Sequence, residues 1–314
     1  MSSENQKTID LVIPVFNEAG VVEQTYASIC KIIDPLPYRF TIYYVDDGSL
    51  DNSVECLAAL ATKDPRIVLL QLARNFGHQS ALTAGLDSSH GEFVISMDAD
   101  GQHPPEMLPQ MIKLFEQGYD IVQAQRIEEG QSFSFKQVTS AGFYALINRI
   151  SGTRILPGAA DFRGMSRQAV EALKSMPEYH RFLRGMISWM GFRSVILPYH
   201  ETSRVGGKSK YSLGKMFRLA MDAIFSFSLM PLYIGLSAGG LFFCLAALEM
   251  IYVLSFWVTG RTSNLAPGWS SLMFVILIVS GIIMVLLGFI GVYVGYIFQE
   301  VKRRPVYLLK KREH

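Results

Sequence analysis

The sequence predicts an α/β protein, with a mostly parallel sheet domain followed by interfacial helices and a hairpin of two transmembrane helices. Three observations carry this prediction. Short apolar runs alternate with segments of helical spacing in the first part of the chain, which is typical of parallel sheets. Polar residues follow each apolar run, where a strand would end. Hydrophobic residues make up 50% of the 314 residues, and their excess is concentrated after about residue 229.

Composition excludes several classes of protein. The formal net charge is only +2, so total charge indicates no surface for nucleic acid. Three scattered cysteines, Cys30, Cys56 and Cys244, form no C-x-x-C pair, which argues against a zinc site or a disulfide framework and favours a reducing compartment. The polar start, residues 2–7, shows no signal-peptide pattern.

Apolar runs in the first part of the chain predict five strands, each followed by a polar turn and most by a helix. The predicted strands are residues 9–15, 40–45, 67–72, 93–97 and 120–125. The predicted helices are residues 19–33, a second from about 51 with Asp51 as its cap, a third ending near 88, and residues 104–116. Further along, we expect a loop at 131–137, helices at 138–150 and 166–174, and a strand at 194–198. Residues 181–190 fit either a membrane-surface helix or an ordinary packed helix.

Polar side chains stand at the carboxyl end of every one of the five strands. Since carboxyl ends of parallel strands share one sheet edge, five such loops indicate a binding site there. These residues are Asn17 and Glu18, Asp46 and Asp47, Arg74, Asp98 and Asp100, and Arg126. No G-x-G-x-x-G follows the first strand and no G-x-x-x-x-G-K-[ST] occurs, which disfavours a dinucleotide-binding fold and excludes a P-loop.

The fourth strand ends in Asp98 and Asp100, which face the same side because alternate strand residues do. With Gln102 nearby, these hard oxygen ligands suit Mg²⁺ or Mn²⁺ carried by a diphosphate. The alternative is that the two aspartates only end a strand and start the helix at Pro104.

The second part of the chain predicts membrane association. Residues 212–228 form an amphipathic interfacial helix, and apolar segments 229–258 and 272–298 are each long enough to span a bilayer. The connecting loop, 259–267, carries only Arg261, whereas the flanks are basic, which places both ends and the sheet domain, residues 1–211, in the cytoplasm. Residues 299–314 form a basic cytoplasmic tail. Glu249 within the first span indicates either a helix or subunit contact or a snorkelling side chain.

These motifs together resemble the family 2 glycosyltransferases of GT-A fold, and within them the polyisoprenyl-phosphate glycosyltransferases. Examples are the bactoprenol (undecaprenyl-phosphate) glucosyltransferases and dolichyl-phosphate mannose synthases. The resemblance covers essentially the whole chain. It is carried by residues 12–18 (VIPVFNE), 45–49 (VDDGS), 74–77 (RNFG), 98–105 (DADGQHPP), 161–163 (DFR) and 207–211 (GKSKY).

The resemblance implies roles for particular residues. For nucleotide-sugar binding they are Pro14, Val15, Asn17, Glu18, Asp46, Asp47, Gly48, Arg74, Asp98 and Ala99. For the diphosphate and the lipid phosphate they are Arg126, Arg163, Arg204, Lys208, Ser209, Lys210 and Tyr211. Asp100 is expected to act with Asp98 and Gln102 through the metal, while Asp161 either orients the acceptor, takes a proton, or only holds Arg163.

The expected reaction is inverting transfer of a hexose, foremost glucose from UDP-glucose, to undecaprenyl phosphate at the cytoplasmic face of a bacterial membrane. GDP-mannose, UDP-N-acetylhexosamine and a UDP-4-amino-arabinose derivative remain open as donors. A processive polysaccharide synthase is disfavoured, because the chain lacks further spans and a Q-x-x-R-W motif. A non-enzymatic membrane partner is disfavoured because the metal and phosphate residues are intact. The family and Glu249 together suggest a homo-oligomer.

The charge asymmetry predicts a topology that cysteine labelling tests. In a variant without the native cysteines, a membrane-impermeant thiol reagent added to intact cells should label Cys at Ser263→Cys and should not label Ser2→Cys. Both positions reacting from the same side of the membrane would overturn the hairpin.

Overall fold

The protein's computed structural model describes residues 6–127, 159–200, 230–259 and 268–310. It falls into two compact units, Met1–Tyr211 with Arg304–His314, and Ser212–Arg303. Several predicted features lie outside the described residues. These are the loop 131–137, the helices 138–150 and 212–228, the loop 259–267 except for Thr259, and the predicted phosphate-binding residues Arg204, Lys208, Ser209, Lys210 and Tyr211.

The first unit contains a seven-stranded mixed sheet with the order β3-β2-β1-β4-β6-β5-β7. The strands are β1 (Thr8–Val15), β2 (Arg39–Asp46), β3 (Ile67–Gln71), β4 (Phe93–Ser96), β5 (Ile121–Ile127), β6 (Ala159–Ser166) and β7 (Ser194–His200). The helices are α1 (Val22–Ile33), α2 (Ser53–Lys63), α3 (His78–Ser88), α4 (Leu108–Glu116), α5 (Arg167–Lys174) and α6 (Leu183–Trp189), with a 3₁₀ turn at Pro105–Met107. The predicted elements of this unit that fall on described residues are therefore present, with small shifts at their ends.

Helices cover both faces of the sheet, which explains why β1 is buried along nearly its whole length. Ile9, Leu11 and Ile13 point into a core shared with α1, α2 and α4. Val12 points the other way, against α3, where a Cβ added to Gly85 would overlap its side chain. The glycine thus permits close packing of α3 on the sheet.

The strand β6 was not predicted, and it is antiparallel to both of its neighbours. It pairs with β4 through Ser96↔Arg163 and with β5 through Gln123↔Arg163. All other pairs in the sheet are parallel, so the prediction of a mostly parallel sheet is confirmed with this correction. Because β6 runs backwards, its first residues reach the edge where the other strands end.

Two local predictions, the start of the first helix and the cap of the second, are wrong. The first helix begins at Val22, since residues 19–21 form a turn. Asp51 does not cap α2, whose N-cap is Asn52; instead its carboxylate accepts hydrogen bonds from the amides of Ala19 (3.2 Å) and Ser53 (3.1 Å). The helix α6 buries Leu183, which agrees with an ordinary packed helix for this segment.

The second unit contains two long apolar helices, α7 (Met230–Val258) and α8 (Trp269–Val301). They contact each other where Gly235 meets Leu286. By length and composition, one stretch among the described residues qualifies as membrane-spanning: Ile278–Val301, 24 residues with a mean hydropathy of 2.4. A spanning hairpin made of both helices, and a role for Glu249 in α7, stay predictions.

Candidate active site

The loops after β1, β2 and β3 are joined by hydrogen bonds into one layer at the carboxyl edge of the sheet. Asp47, buried after β2, accepts bonds from the amides of Phe76 (2.7 Å) and Gly77 (3.0 Å) in the loop after β3. Gly48 has a φ of +70°, and a Cβ there would lie 2.6 Å from the carbonyl carbon of Arg74. A side chain at this position would therefore push the loops apart.

Asn17 joins the first loop to the second. Its φ is +55°, its amide donates to Ser49 Oγ at 3.0 Å, and its side-chain oxygen accepts the Leu50 amide at 2.8 Å. The Glu18 amide donates to Ser53 Oγ at 2.9 Å. Asn17, predicted as a ligand residue, is thus also part of the scaffold that shapes the edge.

The other predicted residues of this layer lie at the ends of β1 to β3. Pro14 and Val15 are buried in β1, and the Val15 carbonyl accepts the Asp47 amide at 2.9 Å. Asp46 is buried and its Oδ1 accepts the Ser49 amide at 3.1 Å. Arg74 is exposed, with its guanidinium 4.5 Å from the centre of the Phe76 ring. The structure therefore brings together those residues of the first three loops that were predicted to bind the nucleotide sugar.

Burial raises the pKa of Asp47, although the amides of Phe76 and Gly77 act in the opposite direction. A carboxylate held by backbone amides needs no cation partner, so this part of the edge is ordered mainly by hydrogen bonds to main-chain groups.

Asp98 and Asp100 follow β4, as predicted, but the strand ends at Ser96, so the alternation of strand residues does not set the direction in which they face. The Asp98 amide donates to His103 Nδ1 at 2.9 Å, and Asp100 Oδ1 accepts the Gln102 amide at 3.1 Å. Between them lies the buried Ala99, whose carbonyl accepts a hydrogen bond from Thr25 Oγ1 at 3.0 Å. This bond anchors the turn to α1.

The Asp98 side chain has the features of a cation ligand. Its Oδ1 is buried and lacks a hydrogen-bond partner among the described residues, and His78 Nε2 lies 3.6 Å away. No group of three His, Cys, Asp or Glu side chains is gathered for a metal within the described ranges. Mg²⁺ often binds through only one or two carboxylates plus substrate phosphates, and the pair at Asp98 and Asp100 fits that pattern.

His103 supports the turn at residues 98–102 from the buried side. It is buried and stacks on Phe162, with ring centres 4.9 Å apart, while Tyr199 packs edge-on at 6.1 Å. Since Nδ1 accepts the Asp98 amide, a neutral ring carries its proton on Nε2, which lies 3.7 Å from Asp98 Oδ2.

Asp161, at the start of β6, lies at the centre of a group of side chains that we call the Asp161 cluster. Its carboxylate accepts bonds from Arg163 Nη2 at 2.7 Å and from Arg184 Nε and Nη2, each at 3.1 Å. His78 Nε2 lies 3.3 Å and Gln79 Nε2 3.5 Å from Oδ2. His78 thereby stands between Asp161 and Asp98.

The charges in the Asp161 cluster stabilise one another. Burial alone would raise the pKa of Asp161, but Arg184, His78 and Arg163 hold it well below its usual range. Burial lowers the pKa of Arg163 to about 10 against the opposing effect of Asp161. Surrounding groups partly desolvate the imidazole of His78, although its side chain is 42% exposed, and this opposes its charge; Asp161 and Asp98 outweigh that effect and raise the pKa of His78. Asp161 is therefore a stable carboxylate and a weak base at neutral pH.

Sequence reasoning found part of this site. It named Asp161 and Arg163, and the structure brings them within reach of Asp98 through His78. Arg126 lies exposed near the end of β5. The residues it missed are His78, Gln79, His103 and Arg184. His78 and Gln79 directly follow the RNFG segment, so the rule that polar residues after a strand lie at the binding edge could have found them. Arg184 comes from α6, which was predicted as a helix, but no local pattern places that helix at this edge.

Comparison with known proteins identifies the family. Residues 10–174 match glycosyl transferase family 2. The chain belongs to this family. The glycosyltransferase is also 38% identical over 302 residues to an uncharacterized glycosyltransferase, YkcC, of Bacillus subtilis, covering 96% of this chain and 93% of that protein. It is 38% identical over 307 residues to the SfII prophage-derived bactoprenol glucosyl transferase of Shigella flexneri, covering 96% and 97% of the two chains.

Among solved structures, the glycosyltransferase resembles one described as a mycobacterial protein, with a TM-score of 0.51 and 21% identity. The match covers 71% of this chain and 75% of that one, and it supports the fold alone.

Asp161 and Asp100 of the glycosyltransferase should contribute differently to the stability of the fold. Asp161→Asn removes the carboxylate shared by the buried Arg163 and the partly exposed Arg184, and breaking a buried pair costs about 3–5 kcal/mol. Asp100→Asn removes one acceptor at a strand end and should cost less than about 1 kcal/mol. Thermal unfolding in detergent should show a Tm lower by on the order of 10 °C for the first variant only. Equal Tm values would contradict the charge balance described for the Asp161 cluster.

Proposed function

We propose that this glycosyltransferase transfers glucose from UDP-glucose to a polyisoprenyl phosphate, undecaprenyl phosphate, and thereby makes a lipid-linked sugar for modification of cell-surface glycans. Support comes from relatives named bactoprenol glucosyl transferase that match almost end to end. The structural observation that carries the proposal is the meeting, at one sheet edge, of an acidic pair for a donor diphosphate and a cationic cluster for a second phosphate.

The donor would lie over the loops after β1, β2 and β4. Asp46 is the last residue of β2, and Asp47 follows it. Their hydrogen bonds to backbone amides would keep the shape of the donor edge before substrate binds. Asp98 and Asp100, with Gln102, would hold Mg²⁺ or Mn²⁺. When bound, such an ion neutralises charge on the leaving nucleoside diphosphate.

The acceptor needs positive charge more than it needs a base. A phosphate monoester is already anionic near neutral pH, so its oxygen can attack the anomeric carbon directly. The new bond joins that oxygen to the sugar, the bond from the anomeric carbon to the diphosphate breaks, and UDP leaves. Attack opposite the leaving group inverts the anomeric configuration.

Asp161 serves this reaction by positioning. With its pKa held low, it keeps Arg163 and Arg184 aligned at the edge, where guanidinium groups suit phosphate oxygens. Of the roles open from sequence, holding Arg163 and orienting the acceptor fit this geometry better than taking a proton.

The membrane setting forms part of the proposal. The apolar stretch Ile278–Val301 and the predicted first span would anchor the enzyme as a hairpin, with the sheet on the cytoplasmic side where UDP-glucose is found. The interfacial helix and the basic loop, Arg204 to Tyr211, would contact lipid headgroups and phosphates. A homo-oligomer remains part of this proposal through Glu249.

A donor panel tests the function. Membranes containing the protein should transfer labelled glucose from UDP-glucose to undecaprenyl phosphate, and should use GDP-mannose, UDP-N-acetylhexosamine and UDP-4-amino-arabinose derivatives far more slowly. Product lipid is separated and its sugar identified. Preferential use of another donor would replace the sugar in this proposal, and labelling of polymer instead of lipid would refute it.

Metal dependence is a separate expectation. EDTA should stop transfer, and added Mg²⁺ or Mn²⁺ should restore it. Asp100→Asn should lower turnover at saturating substrates by about a hundredfold or more, because it removes a ligand charge from the proposed cation. Glu106→Gln, an exposed carboxylate just beyond the turn, is the matched control and should keep parental turnover. Full activity in EDTA would contradict the metal site.

A further inference from the structure

The segment after α8, which we call the tail segment (residues 304–310), belongs to the sheet unit. It lies antiparallel along the chain at the end of β3, where Leu309 bridges Leu72. The Ala73 amide donates to the Leu308 carbonyl at 2.8 Å, and the Lys310 amide donates to the Gln71 carbonyl at 2.7 Å. An isolated bridge and two hydrogen bonds thus join the last residue of β3 and the two residues after it to a segment more than 230 positions away in sequence.

A side chain of the tail segment makes a second, independent contact. Tyr307 Oη donates to Asp87 Oδ2 in α3 at 3.1 Å. Burial, together with the charge of Asp87, raises the pKa of Tyr307 to about 12, so the phenol stays a hydrogen-bond donor. The tail segment therefore holds both β3 and α3.

The chain between these two attachment points consists of the loop that completes the donor edge and nearly all of α3, since Asp87 lies in the last turn of that helix. Residues 72–77 connect β3 to α3. Within them, Phe76 and Gly77 supply the amides that bind Asp47, and the backbone of Arg74 packs on Gly48. The residue after the loop, His78, contacts Asp98 and Asp161. The tail segment therefore restrains the start of the loop directly and its end through α3, and both restraints limit how far these groups can move.

We propose that the tail segment is a positioning element of the donor site: by bonding to residues 71–73 at the end of β3 and to Asp87 in α3, it holds residues 72–77 against Asp47. This inference rests on the proposed function for its kinetic consequence, while its structural part stands on the contacts alone. Tyr307 and the backbone of Leu308 and Lys310 act through the loop and touch no substrate.

An alternative is that the tail segment only covers a sheet edge that would otherwise pair with other chains. That role would affect solubility and stability and leave the affinity for the donor unchanged. The two possibilities separate when loop order and donor kinetics are measured on the same variant.

A matched pair of substitutions at one position provides the test. Lys310→Pro removes the amide that bonds to Gln71, whereas Lys310→Ala removes the exposed side chain and keeps the amide. In the full-length protein in detergent, Lys310→Pro should speed amide hydrogen exchange across residues 73–77 and raise the KM for UDP-glucose about tenfold, with kcat within about twofold. Lys310→Ala should match the parent in both measurements.

Other outcomes decide against the proposal. Equal exchange in Lys310→Pro and Lys310→Ala would overturn the tether, and faster exchange with an unchanged KM would overturn its role in donor positioning. If Lys310→Pro cannot be recovered folded, Tyr307→Phe gives the same comparison, and parental values in both measurements would overturn the proposal. A parent that transfers no sugar would contradict the proposed function, while the exchange measurements would still decide whether the tether exists.

Discussion

The candidate site depends on the ion pairs that the buried carboxylate of Asp161 makes. An isolated carboxylate in this position would cost several kcal/mol, and so would the buried Arg163 beside it. Each is tolerated because the other is present, and Arg184 and His78 complete the balance. Three separate elements, β6, α6 and α3, contribute to this balance, so the charges also fix where those elements meet.

The reversed direction of β6 makes this cluster possible. In a wholly parallel sheet, a strand beside β4 would bring its last residues to the edge where ligands bind. Here the pairing Ser96↔Arg163 sets the register, and Asp161, two residues earlier in β6, lies beyond the end of β4 next to the Asp98 turn. The bond from Ser96 Oγ to the Asp161 carbonyl, at 2.7 Å, ties the two strands at that point.

Much of the fold could be predicted from the sequence because β1 to β5 are short apolar runs that end in polar turns. The positions of Asp98 and Asp100 followed from the same rule. The strand β6 could not be predicted, because its segment AADFRGMS lacks alternation and carries two charges that would ordinarily indicate a loop. Those two charges pair with each other, and Arg184 and His78 contact Asp161 from other elements. Such long-range pairing leaves no mark in a local sequence pattern. The pairing of residues 308–310 with residues 71–73 was missed for the same reason, because the sequence of the tail indicates only that it is basic.

The two halves of the site are held by different kinds of interaction, and this difference bears on how each half can respond to a ligand. Around Asp47 and Asn17, main-chain amides and carbonyls are committed to particular partners, so this half is shaped before binding. Around Asp161, guanidinium and imidazole groups share one carboxylate, so in the proposed reaction an arriving phosphate would compete with Asp161 for the same donors. A rigid half suits recognition of one nucleotide, whereas a half built from shared charges suits an anion that must enter, react and leave as a lipid product.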